Sequence, residues 1–195
     1  MPNGAGSSRK IPSMSSESIQ YETVVGSRRI HDGKVVHLRV DDIQMPSGRV
    51  VQREIVEHRG AVCALPILPD GRIAMIKQWR TATQELLWEI PAGSLEVGEA
   101  PADCAGRELI EEIGYKAGKL SLLFQCYLAP GYSSEMIYGY LAEDLTLVGA
   151  DPEEDENIEL VVKPLEELLP LIDSGEIRDA KTICALLGYY RLKKS

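Results

Sequence analysis

Three glutamates, Glu108, Glu111 and Glu112, sit within five consecutive residues. Spacings of three and four put them on one face of a helix. Ala102, Ala105, Leu109 and Ile113 recur at helical spacing on the other side, which is expected to be the buried one. Like charges this close repel by about 0.2–0.5 kcal/mol per pair when exposed. They are comfortable either as a well-solvated surface face or around a cation. Carboxylates without Cys or His select hard, oxygen-seeking cations, Mg²⁺ or Mn²⁺ rather than Zn²⁺. Such an ion serves chemistry at a phosphate: it can polarise a phosphoryl oxygen, activate a water or neutralise a leaving group.

The surrounding chain must hold these carboxylates. A Pro91-Ala92-Gly93 turn and a Gly-containing loop to Glu99 lead into a helix over 100–113, with Asp103 near its positive end and Gly114 as its stop. Before it, Ala61 to Leu68 is a continuous apolar run and Arg72 to Gln78 a further strand across a Pro69-Asp70-Gly71 turn, with the buried character of a central sheet. Glu85 to Ile90 enters the Pro-Ala-Gly turn. After the helix, Leu120 to Ala129, Glu135 to Ala142 and Ile158 to Val162 read as strands. Leu165 to Ile172 and Ala180 to Leu192 read as helices, the last with Ile183, Leu186, Leu187 and Tyr190 on one face.

Residues 1–18 are rich in Ser, Gly and Pro and predict a disordered tail. Residues 19–58 alternate in the manner of strands, broken at Asp32-Gly33 and Pro46-Ser47-Gly48, and predict a small antiparallel sheet. So few residues bury too little surface to stand alone, so this sheet must dock on the main domain of residues 59–195 or on a second subunit.

The chain has 195 residues, 44% hydrophobic and 26% charged, as expected of a soluble globular protein. A net charge of −9 without a basic stripe argues against nucleic acid as a partner. No apolar run approaches the ~20 residues of a membrane span, and residues 1–18 lack the apolar core of a signal peptide. Cys63, Cys104, Cys126 and Cys184 are scattered, without a C-x-x-C, and read as small buried hydrophobes in a reducing compartment. The cytoplasm is the expected location. Trp79 and Trp88 are expected in the core. His31, His37 and His58 show no metal-ligand spacing.

Gly93, Glu99, Arg107, Glu108, Glu111, Glu112 and Gly114 together form a pattern whose seven fixed positions recur by chance on the order of once in 10⁸ starts. The pattern resembles the signature box of the Nudix hydrolases. Tyr115 departs from it, standing where an aliphatic residue is usual. The resemblance implies an α/β (α+β) fold, a Nudix-type α/β/α sandwich with a mixed sheet, joined to the small N-terminal sheet. It implies Glu108, Glu112 and the Ala92 carbonyl as metal ligands, Glu111 as a further ligand or a base, and a Glu99–Arg107 ion pair fixing loop to helix. Pro130, sixteen residues after Gly114, with Gln78-Trp79-Arg80, Glu89 to Gly93 and the ending GEIRDAKTICAL, is similar to the ADP-ribose pyrophosphatase subfamily.

That subfamily resemblance implies Mg²⁺-dependent hydrolysis of ADP-ribose to AMP and ribose 5-phosphate, with Mn²⁺ able to substitute. GDP-mannose or another nucleotide sugar is the alternative substrate. It further implies a water-activating carboxylate on the loop from Asp151 to Asn157, Glu156 with Glu154 as runner-up. Arg53 and Arg80 would hold phosphates or the terminal ribose, and Glu89 would line the pocket. A homodimer with intertwined N-terminal sheets is implied as well. The competing class is a non-catalytic scaffold that binds a nucleotide, which is expected to show an eroded acidic box; this box is intact.

Overall fold

The computed structural model describes residues 21–150 and 158–194. The predicted tail and the acidic loop at 151–157 lie outside the described residues.

An antiparallel sheet is built from β1 (Thr23–Asp32), β2 (His37–Gln44) and β3 (Val50–Glu57), in that order. Its two turns are where the sequence places them. Gly33 N–H donates to the Val36 carbonyl at 2.9 Å, and Gly48, at φ +84°, donates to Met45 at 2.8 Å. Val40 and Ile43 are buried, but Val24, Val25, Ile30 and Val50 are exposed.

The remaining elements are β4 (Ala61–Pro66), β5 (Ile73–Arg80), β6 (Glu85–Glu89), β7 (Ala92–Ser94), α1 (Pro101–Ile113), β8 (Tyr115–Lys116), β9 (Lys119–Tyr127), β10 (Met136–Glu143), β11 (Thr146–Leu147), β12 (Ile158–Lys163), α2 (Leu165–Asp173) and α3 (Ala180–Lys194). One sheet has the order β7-β4-β10-β9 and a second the order β12-β5-β6. β4 and β10 run parallel and the other pairs antiparallel, so the first sheet is mixed.

β4 is buried along its whole length because both of its faces are covered. Ala61, Cys63 and Leu65 point into a core with Leu165, Leu168, Ala185 and Leu186 of α2 and α3. Val62 packs with Cys104 and Ala105 of α1, and Ala64 with Leu109 and Ile113. β5 alternates in the same way, Ile73 and Met75 to one core, Ala74 and Ile76 to the other. Two sheets between α1 and the α2–α3 pair make the α/β/α sandwich, and double coverage explains the unbroken apolar runs. The strands either side of the Pro69-Asp70-Gly71 turn go to different sheets, meeting beside the turn at an Ile67–Ile73 bridge.

Pro101 opens α1, where its missing N–H costs nothing. Gly114 closes it at φ +74°, donating to Ile110 at 2.9 Å. A side chain at Gly114 would also strike the backbone at Ala150, so two constraints coincide there. Some expected burials fail. Ala102 and Leu187 are exposed, while Cys104 and Thr182 take buried positions. Cys63 and Cys104 are buried as expected, but Cys126 is only half-buried and Cys184 exposed. Trp79 is 53% exposed at the end of β5, whereas Trp88 is half-buried under Lys77, whose Nζ lies 4.6 Å from the ring centre.

Candidate active site

β7 is the wall around which the site is built. It follows the Pro91 turn and pairs with β4, Cys63 opposite Ala92. Ala92 N–H donates to Glu112 Oε2 at 3.1 Å, fastening the helix carboxylate to the strand. Gly93 lets the helix come close, since a Cβ there would overlap the Glu108 carboxylate. The three glutamates are not a solvated face. Glu112 is buried and the Glu108 side chain only 12% exposed, with Glu111 more open. Like charges brought out of water together require positive charge nearby.

Arg107 supplies some of it. Its Nη1 donates to Glu108 and to Glu111, each at 2.8 Å, while Nε and Nη2 reach Glu99 at 3.0 and 3.3 Å. The Glu99–Arg107 pair is therefore present, and Arg107 also spans two of the acidic residues on its own helix. Among the described residues no three of His, Cys, Asp or Glu already converge on one point, so gathering round a cation requires Glu108 and Glu111 to turn from Arg107. The donor set fits a hard cation: carboxylate oxygens within one turn, held against a strand whose glycine leaves room. Ala92, Gly93, Ser94, Glu96, Glu108 and Glu111 line a cavity of about 250 Å³ here.

Arg107, with the Glu96 N–H donating at 2.9 Å, holds the Glu99 carboxyl at about 2, against an ordinary 4.5. The stability this contributes is full above about pH 4.5 and is lost as pH falls towards about 2. Acid unfolding of Glu99→Gln should therefore be less steep than that of the wild type across this window. Equal slopes in a urea titration at each pH would show that the pair contributes nothing.

On the other side of β7 lies a second charge cluster. Glu89, at the end of β6, is 1% exposed and accepts two bonds of 2.7 Å from Arg80. Lys181 Nζ also bonds to Glu89, and stands 3.0 Å from Asp179. Burial pushes the Glu89 carboxyl up, but Arg80 and Lys181 outweigh it and hold it below its usual range. Glu89 in turn raises Arg80. Asp179 precedes α3 as its cap, accepting from Thr182 N–H at 3.0 Å and from its hydroxyl at 2.6 Å. The Thr182 hydroxyl accepts from Ile90 N–H at 3.0 Å, tying the helix to the strand that enters the Pro91 turn. Arg80, Ala92, Gly93, Ser94, Asp179 and Lys181 share a second cavity of about 250 Å³.

The structure thus brings Ala92, Glu108, Glu111 and Glu112 together on one side of β7, and Arg80 and Glu89 together on the other. It does not bring Arg53 to them. Arg53 stands on β3, 3.7 Å from Glu22, in a separate cavity with Arg28 and Tyr132. Glu154 and Glu156 lie outside the described residues. Sequence reasoning gave Lys181, Asp179 and Thr182 no role. One signal was there: a lysine in the first turn of a helix opposes the helix dipole and needs an outside reason.

Comparison with known proteins places the chain in a family. The NUDIX domain model matches residues 57–186, and the nucleoside diphosphate sugar hydrolase N-terminal domain matches residues 22–56. The chain belongs to the Nudix family, and it is a Nudix hydrolase, of the kind that works with a divalent metal. It is 42% identical, over 89% of its length and 95% of the relative's, to the ADP-ribose pyrophosphatase of Bacillus subtilis (strain 168). It is 33% identical, over 77% of its length and 82% of the relative's, to the GDP-mannose pyrophosphatase of Yersinia pestis (strain Pestoides F). A crystal structure of an ADP compounds hydrolase superposes with a TM-score of 0.82 at 24% identity, covering 92% of this chain and 97% of that one, and so shares its fold.

Proposed function

We propose that the protein hydrolyses the diphosphate of ADP-ribose to AMP and ribose 5-phosphate, with Mg²⁺ as the metal and Mn²⁺ able to replace it. One observation carries this reading: β7 has carboxylates suited to a cation on one side and, on the other, a cavity where Arg80 and Lys181 stand beside Asp179 and Glu135. A diphosphate laid across Ala92–Ser94 would meet both. Glu108, Glu112 and the Ala92 carbonyl would hold the metal, with Glu111 as a further ligand or base. When bound, the metal offsets phosphate charge and lowers the pKa of water.

Arg80 and Lys181 steady the diphosphate, and Glu89 fixes the direction of both side chains. Water adds to one phosphorus, the bridging oxygen leaves with the other, and the water's proton passes to a carboxylate, Glu156 or else Glu154. A general base near neutral pH suits that role. Arg53 is then assigned to the substrate of a partner subunit, in a homodimer with intertwined N-terminal sheets. The exposed Val24, Val25, Ile30 and Val50 support such a partner. Among the described residues no helix is long and apolar enough to cross a membrane, and we assign the enzyme to the cytoplasm.

The test is turnover of ADP-ribose, GDP-mannose, other nucleotide sugars and nucleoside triphosphates with Mg²⁺. ADP-ribose is expected to have the highest kcat/KM. A preference for GDP-mannose would overturn the substrate and leave the family standing. Tight binding of ADP-ribose without turnover would favour a non-catalytic scaffold.

A further inference from the structure

We infer that the protein has a second anion subsite, next to the cleft, that accepts a phosphate monoester on the distal sugar of its substrate. This rests on the diphosphate-sugar reading above and extends it.

A cavity of about 210 Å³ lies beyond Ser94, between the N-terminal sheet and the loop after β7. The β1–β2 turn contributes Lys34 and Val35. The end of β3 and its link to β4 contribute His58 and Arg59. His37, Ser94 and Leu95 complete the lining, and none of these residues is acidic. In a chain of net charge −9, a cavity without a carboxylate is a departure that needs a reason. The carboxylates near it are already engaged: Asp32 with His37, and Glu57 with Arg29 and Arg39. Lys34 and Arg59 are exposed and have no ion-pair partner among the described residues. His58 Nδ1 accepts from Gly60 N–H at 3.1 Å, which leaves Nε2 of the neutral ring as a donor. Lys34, Arg59, His58 and Ser94 therefore offer donors around one space, the complement of a phosphate's acceptor oxygens.

Position supplies the link to substrate. Ser94 lines this cavity, the carboxylate cavity and the Arg80–Lys181 cleft alike. The junction is held by Leu95 N–H donating to the Gly60 carbonyl at 3.1 Å. A ligand whose diphosphate lies along β7 can reach past Ser94 with its far end. A phosphate there meets the basic cavity, not the carboxylates. The ligand class is a nucleoside diphosphate sugar with an additional phosphate on its second sugar.

The test compares kcat/KM for ADP-ribose and for ADP-ribose carrying a phosphate on the distal ribose, in wild type and in the Lys34→Ala/Arg59→Ala variant. Wild type is expected to favour the phosphorylated substrate by about tenfold, the scale of two solvent-exposed charge pairs. The variant should lose that preference and keep its activity on ADP-ribose within about twofold. No preference in wild type, or the same preference in the variant, overturns the inference. Inorganic phosphate should erode the preference in wild type only. If it instead alters turnover of plain ADP-ribose through Lys34 and Arg59, the occupant is a free anion and the tethered phosphate fails. If ADP-ribose is not turned over at all, it is the substrate reading that falls. Calorimetric titration with inorganic phosphate then judges the cavity by itself, binding that survives in the variant counting against it.

Discussion

Glu112→Gln is expected to lower kcat by about 10³-fold, a loss of about 4 kcal/mol in the stabilisation of transition-state charge. The substitution keeps the volume and an oxygen that can still accept from Ala92 N–H, at 3.1 Å in the parent. The anchor between α1 and β7 therefore survives, and Tm should move by only a few degrees, about the shift that 1 kcal/mol produces. What is lost is a buried negative charge beside the proposed metal. Glu108→Gln should behave similarly, although its hydrogen bond from Arg107 at 2.8 Å also weakens. Steady-state kinetics over a range of Mg²⁺ concentrations distinguish a weakened metal site, which excess ion partly rescues, from a lost base, which it does not. Wild-type kcat in both variants would remove the metal assignment.

Glu89→Leu should destabilise the protein by about 3–5 kcal/mol, the usual cost of leaving buried charges without their partner. Glu89 is the hub of the second cluster: Arg80 grips both of its oxygens and Lys181, 8% exposed, bonds to one. Without it Lys181 keeps only Asp179, and Arg80 loses the carboxylate that grips it. Urea unfolding at neutral pH measures the loss. Glu89→Gln, which retains one acceptor, should cost less but raise KM for ADP-ribose, because Arg80 and Lys181 are no longer held in place. A Gln variant with wild-type stability and wild-type KM would make the cluster incidental to binding.

The two clusters were not equally legible. Glu108, Glu111 and Glu112 lie on one helix, so helical spacing alone predicts that they converge, and the position of Gly93 agrees with the close approach. Glu89 and Lys181 are separated by 92 residues. Their meeting depends on how α3 lies across the sheet, which no local pattern encodes. Lys181 can be suspected from its place at the start of a helix, but its partner cannot be named. β7, β8 and β11, at three and two residues, are too short to show any period. The exposed Trp79, Ala102 and Cys184 make a related point. Periodicity says which residues share a face, while burial depends on whether another element covers it. The allotment of β4 and β5 to separate sheets was hidden for the same reason: each reads as an apolar strand, and only pairing partners far along the chain divide them.

That distant pairing has a consequence for how the protein is made. β4 takes β10 as its parallel neighbour, with Ala61 opposite Ile137. During synthesis, the N-terminal sheet can form its three-stranded ladder once Glu57 has emerged, with only the Val56–Ser133 bridge left to a later segment. β4 then waits, apolar on both faces, while the acidic helix and β9 are added. Such strands close slowly, because a long loop must be ordered before its contacts form. The nascent chain thus carries Glu108, Glu111 and Glu112 into water while β4, with β7 on one edge, still lacks β10 on the other. Their mutual repulsion, which the folded site must overcome, would at that stage be screened by solvent and would help keep an exposed apolar strand from finding a wrong partner.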